Sequence, residues 1–147
     1  MPFLNFENRH SDSEKTAINS ILQTLQSILS GKFATLTPEE LRQYESINEQ
    51  NKLIVNKVKD YRDNNPLLSS PEIDWGEFDK DYESRSFLQS TVNGLTGLNL
   101  GLENAKILHD WDNCLASLVD YQYSVYRNDS ESPGFHTKAE EIRQFFP

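Results

Sequence analysis

The stretch ILHDWDNC, Ile107 to Cys114, gathers a histidine, two aspartates and a thiol. Such a set could hold a divalent metal, pass a proton between imidazole and carboxylate, or activate the thiol of Cys114. Helix geometry argues against all three. If the core line runs through Leu108, Trp111, Leu115 and Leu118, steps of about 100° turn His109 and Asp112 to the opposite face. Asp110 and Cys114 then fall on the flanks. A His-Asp metal site needs further ligands from neighbouring helices, and the other two histidines, His10 and His136, lie outside the main helical segments. A Cys-His pair needs the imidazole at the thiol, and His109 points away. The segment reads as a solvated helix face, inert to substitution.

Other motifs also fall to their ordinary readings. Glu7 and His10 have the Glu-x-x-His spacing of di-iron bundles, but that motif occurs once, ahead of the first helix cap. Asp79, Asp81 and Glu83 mimic the opening of a calcium loop. Ser84 then stands where that loop needs glycine, and Ser90 where it needs glutamate. Their acidity suits the positive end of a helix dipole. GLTGLNLG has no preceding strand and no phosphate-reaching lysine, so it is not a P-loop, and its glycines suit close helix approach or a helix end. With a single cysteine, Cys114, no intramolecular disulfide forms. No catalytic, cofactor-binding or metal-binding residue is assigned.

The elements that would carry these residues are helices. SDSE (Ser11, Glu14), TPEE (Thr37, Glu40) and TKAE (Thr137, Glu140) match the capping-box spacing, and DWGE (Asp74, Glu77) is a variant with aspartate at the cap. The first helix is predicted over 12–30, its stripe made by Ile18, Ile21, Leu22, Leu25, Ile28 and Leu29. Gly31 is its expected left-handed C-terminal residue. The second is predicted over 38–64, with Tyr44, Ile47, Ile54, Val55 and Val58 inward. The third covers 74–101, with Trp75, Phe78, Tyr82, Leu88, Val92 and Leu95 inward. Gly94, Gly97 and Gly101 place a turn at its end, a single helix continuing to Leu108 being the alternative. A fourth covers 104–126 and a short last helix 137–146. Short connections between long amphipathic segments predict an all-α fold, an up-and-down antiparallel four-helix bundle with a short C-terminal helix, in one domain over 1–147.

Charge narrows the partners. A net charge of −9 with no basic run excludes a nucleic-acid role and disfavours anionic membranes. No apolar stretch approaches the ~20 residues that span a bilayer, so membrane insertion is not expected. MPFLNFENRH lacks the basic start and apolar run of an export signal, which makes the cytoplasm the default expectation.

Through SINEQNKLIVNKVKDYR (Ser46 to Arg62) and KILHDWDN (Lys106 to Asn113), the chain resembles a small group of short bacterial helical proteins. The resemblance implies a helical fold over nearly the whole chain. It carries no activity, cofactor or functional residue.

Polar residues on the apolar stripes are the more informative ones. Asn51 sits between Ile47 and Ile54 in the second helix, Arg85 continues the line of Phe78 and Tyr82, and Gln122 continues Leu115 and Leu118. Folded as antiparallel hairpins, the helices would bring Asn51, Tyr82, Arg85 and Gln122 to one height. Such a layer fixes register or oligomeric state, or binds a polar ligand. Equally, Arg85 could snorkel and Asn51 sit at a boundary. The aromatic supply from Tyr121, Tyr123, Tyr126, Phe135, Phe145 and Phe146 exceeds what one stripe needs, as at interfaces. The sequence therefore reads as a non-enzymatic interaction or structural module, binding a protein partner or self-associating. The alternative is a small-ligand- or metal-binding bundle around Arg85.

Overall fold

The computed structural model describes residues 2–46 and 49–147. The protein is all-α, 75% helical, with no strand among the described residues. Its helices are α1 (Asp12–Ser30), α2 (Pro38–Tyr44), α3 (Glu49–Asn64), α4 (Trp75–Asp129) and α5 (Phe135–Arg143), with a 3-10 turn at Pro66–Leu68.

The caps explain most starts. The Ser11 hydroxyl accepts from the amide of Glu14, and at α2 the full reciprocal box between Thr37 and Glu40 forms, with Pro38 in the first turn. Asp74 caps α4 by accepting from the amide of Glu77 at 3.1 Å. The TKAE box is not used. α5 instead starts two residues earlier, at Phe135, after Gly134, whose φ of 86° only glycine adopts freely. Gly31 also departs from expectation, ending α1 in right-handed geometry with φ of −69°.

Two predicted boundaries are overturned. The predicted helix 38–64 is interrupted at Glu45 and Ser46. There the Ser46 hydroxyl donates to the carbonyl of Gln43 at 2.6 Å. Ile47, expected in the core stripe, lies outside the described residues. The predicted turn near Gly101 is absent, and the third and fourth segments are one helix of 55 residues. Glycine lowers helix propensity by ~1 kcal/mol per residue without blocking the backbone, and no proline follows to stop the chain. A Cβ built on Gly94, Gly97 or Gly101 would meet nothing within 4 Å, so they mark neither a helix end nor a close approach within this chain.

Where one domain was expected, contacts divide the chain into two units, with the boundary inside α4. One comprises His10–Val92. In it α3 and the start of α4 form a hairpin through successive ties. Arg62 lies over the Trp75 ring, the Lys59 ammonium contacts Asp79, and the Tyr82 hydroxyl donates to Asn56. The other comprises the N-terminal arm up to Arg9 and Asn93–Pro147. In it α5 is held to α4 by Lys138 on Asp120 at 2.6 Å and by the Tyr123–Phe135 and Tyr121–Phe146 ring contacts. Ser124 of α4 and Ala139 of α5 are the two buried residues among those described, both small as a close helix approach requires.

Much of the stripes expected to form a core is at the surface, while Leu25, Leu29, Trp75, Phe78, Leu108 and Leu115 are half-buried. Ile21 and Ile28 of α1 are 67% and 68% exposed, and Leu88 and Val92 of α4 are 55% and 54% exposed. Nothing in the described residues covers them.

Candidate functional site

The HDWD segment lies on α4 in the unit that contains the N-terminal arm. Asp112 accepts two hydrogen bonds of 2.7 Å, one oxygen from the amide of Leu4 and the other from the amide of Asn5. Consecutive amides converge on one carboxylate because Asn5 adopts φ of 53°, a left-handed conformation that asparagine tolerates better than most residues. Phe6, the next residue, sets its ring 4.9 Å from the His109 imidazole. Both Asp112 and His109 are half-buried. The expectation of a solvated, inert face is therefore corrected at these two positions. Helical periodicity placed them away from the apolar line, but it could not register an arm folding back from residues 4–6.

This arrangement fastens the arm to α4. Asp112 spends both oxygens on amides, and His109 meets a phenyl ring. Asp110 pairs with Lys106 one turn earlier, and the carboxylate keeps that ammonium protonated to higher pH than usual. Cys114 is exposed, not at a core edge. Among the described residues no group of three or more His, Cys, Asp or Glu side chains is placed to hold a metal ion. His10 pairs with Glu14 at 3.1 Å. Asp79 pairs with Lys59, which also reaches Asp63, each at 3.0 Å. The hydrogen bonds that Lys59 donates to Asp63 and then to Asp79 raise its pKa.

The four polar stripe residues part company. Tyr82 is half-buried; Arg85 is exposed, its guanidinium 5.6 Å from the centre of the Tyr82 ring. Its exposure fits the snorkelling alternative for Arg85. Asn51, on α3 in the same unit, is exposed. Gln122 is exposed in the other unit. Tyr82 and Arg85 do share a groove of about 440 Å³ with Tyr44, Lys52, Val55 and Phe78. Neither the Asp112 clamp nor the two-carboxylate hold on Lys59 was found from the sequence. Both are ties between segments far apart in the chain, and spacing does not report those.

No family model, curated protein or solved structure matches this chain.

Proposed function

We propose that the chain is a self-associating helical module whose apolar helix faces are covered by further copies. The observation that carries this reading is the missing burial. The chain exposes 12671 Å². A folded monomer of its mass ordinarily exposes about 7,700 Å². The surplus, about 5,000 Å² per chain, exceeds what each partner removes from water in most obligate homodimers. Ordered helices whose leucines and isoleucines face water lack the main term that stabilises folding, since isolated helices are marginal. On this reading a second copy supplies the cover. The four-helix bundle that the stripes anticipate then forms between copies, each contributing part of its helices.

Sedimentation equilibrium on the purified chain tests this. A dimer or higher species at micromolar concentration is the expected result. A 17.0 kDa monomer with undiminished helical circular dichroism would overturn the reading.

The groove beside Arg85 favours a second, narrower reading, a small-ligand site with an apolar floor and a cation at its rim. Ligands that perturb the Tyr82 and Arg85 resonances in the parent but bind no longer in Arg85→Met would support it. Hits that bind Arg85→Met equally well would remove it.

A further inference from the structure

α1 lies wholly within one of the two units. From Thr16 to Gly31, TAINSILQTLQSILSG, it carries no charged residue on any face. Its polar ties stay local, from the His10 and Ser11 contacts of Glu14 to hydroxyls that donate to carbonyls three or four residues back. Ile18, Ile21, Leu22 and Ile28 are exposed, and Leu25 and Leu29 are half-buried. Ile18, Ile21, Leu25 and Ile28 follow one another at three-, four- and three-residue steps, the spacing of a seam between paired helices. Glu14 stands seven residues before Ile21 and Lys32 seven after Leu25, so both charges fall on that line. Gly31 keeps right-handed geometry and the Lys32 amide donates to the carbonyl of Leu29, which carries the last turn through Lys32.

We propose that α1 is a contact between copies of this chain, pairing antiparallel with α1 of a second copy about a two-fold axis level with Gln23. The proposal rests on the self-association reading and names one of its interfaces.

Complementarity of the line with itself selects this occupant. Opposed about Gln23, Ile18 stands level with Ile28 of the second copy and Ile21 with Leu25, so each apolar side chain meets another. The same registration sets Glu14 of each copy level with Lys32 of the other, and an ion pair closes the seam at both ends. The Glu14 side chain is 58% exposed beside its His10 contact, so a second copy can reach it. A parallel pair would instead set glutamate beside glutamate and lysine beside lysine. A lipid surface would accept the isoleucines, but it offers Glu14 and Lys32, which stand in the same line, no partner of opposite charge to offset their loss of water. The net charge of −9 also opposes the anionic headgroups that strengthen the binding of amphipathic helices.

Cysteine cross-linking of the full chain in a Cys114→Ala background, alongside sedimentation, reads the geometry. Ile18→Cys and Ile28→Cys are each expected to stay unlinked alone, ten residues from their own symmetry mates, and to form a disulfide-linked dimer when mixed. Lys32→Glu, outside the helix proper, should raise the dissociation constant roughly tenfold, since two symmetry-related pairs turn repulsive. Adding Glu14→Lys should restore it. Ile21→Asp, at a position exposed in the single chain, should raise it at least a hundredfold. Self-linking by both Ile18→Cys and Ile28→Cys would establish a parallel pair and overturn the proposal. An assembly that none of these cysteines links and whose mass Ile21→Asp leaves unchanged would overturn it too, with self-association standing through another face. A monomer in sedimentation would remove both readings. If that monomer floated with phosphatidylcholine vesicles and Ile21→Asp did not, α1 would belong to a lipid surface instead.

Discussion

Two stretches of α4 solve the same problem in opposite ways. Between Leu108 and Asp129 the helix meets the arm through His109 and Asp112, and holds α5 through Asp120, Tyr123 and Arg127. Arg127 alone donates to the Tyr123 hydroxyl and to Ser132. Between Ser86 and Leu102 the same helix carries no charged residue and exposes its leucines. Polar groups are directional and short in reach, so they select partners within the chain. Apolar surface demands only cover, and accepts whichever complementary surface arrives. One helix thus carries an end tied within its own unit and a middle whose leucines are exposed.

The largest break in that comparison comes from placing the same charge in both stretches. On the self-association reading, Leu95→Asp would set a carboxylate on the exposed leucine face of α4. Burying unpaired charge costs several kcal/mol, so ~3 kcal/mol or more of association should be lost and the sedimenting mass should fall. Helical circular dichroism should fall with it, because the middle of α4 loses its cover. Val119→Asp, at a position 58% exposed in the closed stretch, should change stability by no more than ~0.5 kcal/mol. Equal effects from the two substitutions would erase the distinction between the stretches.

Asp112→Ala should produce an intermediate effect of a different kind. Two exposed amides lose a charged acceptor and turn to water instead, so the cost should be about 1 kcal/mol. Hydrogen exchange at the Leu4 and Asn5 amides should quicken while the sedimenting mass stays that of the parent. Asp110→Ala, which removes only an exposed i,i+4 pair with Lys106, should lie within ~0.5 kcal/mol. If Asp112→Ala left exchange at Leu4 unchanged, the arm would be held by something other than this carboxylate.

Gly97→Ala sharpens which face of the middle another copy covers on that reading. Gly94, Gly97 and Gly101 lie on the side of α4 away from the Leu88–Leu95 line, with open space around each. Alanine should therefore gain up to ~1 kcal/mol of helix stability and leave the dimer as tight as before. Weakened dimerisation in this variant would show that helices cross at the glycines and not at the leucines.

Much of this architecture was legible in residue types, because the cues are local. Ser11, Thr37 and Asp74 mark helix starts where hydroxyl and carboxylate meet backbone amides two or three residues on. The stripe of α1 predicts its extent to the residue. What was not legible depends on competition or distance. Glycines at 94, 97 and 101 weaken a helix without stopping it, and only the whole fold decides whether the helix survives them. The break at Glu45 and Ser46 falls inside a segment whose residue types all suit a helix. The capping-box pattern at Thr137 loses to the left-handed turn at Gly134. The Asp112 clamp joins residues 107 and 108 positions apart, beyond any periodicity. The stripes themselves were read as one chain's core, although an apolar stripe is the same sequence whether its cover is intramolecular or a second copy.

The smallest expected effect lies at the first cap, away from either stretch of α4. Glu14 has its pKa lowered, chiefly by the hydrogen bond with His10 and then by those with the Ser11 side chain and backbone. A carboxyl group with a depressed folded value contributes stability that is complete above its unfolded value and is lost as pH falls through the folded one. The start of α1 should therefore loosen only in acid, below the ordinary carboxylate range. Side-chain carboxyl NMR should place the Glu14 midpoint below that of an unpaired glutamate. His10→Ala should move it back toward the ordinary value, and Ser11→Ala should move it less, following the order of the causes. The group is solvent-exposed, so salt should shrink the difference and the overall unfolding midpoint should barely move. A Glu14 midpoint unchanged by His10→Ala would mean that the 3.1 Å contact is not maintained in solution, and would leave the Ser11 hydroxyl to cap α1 without help from the imidazole.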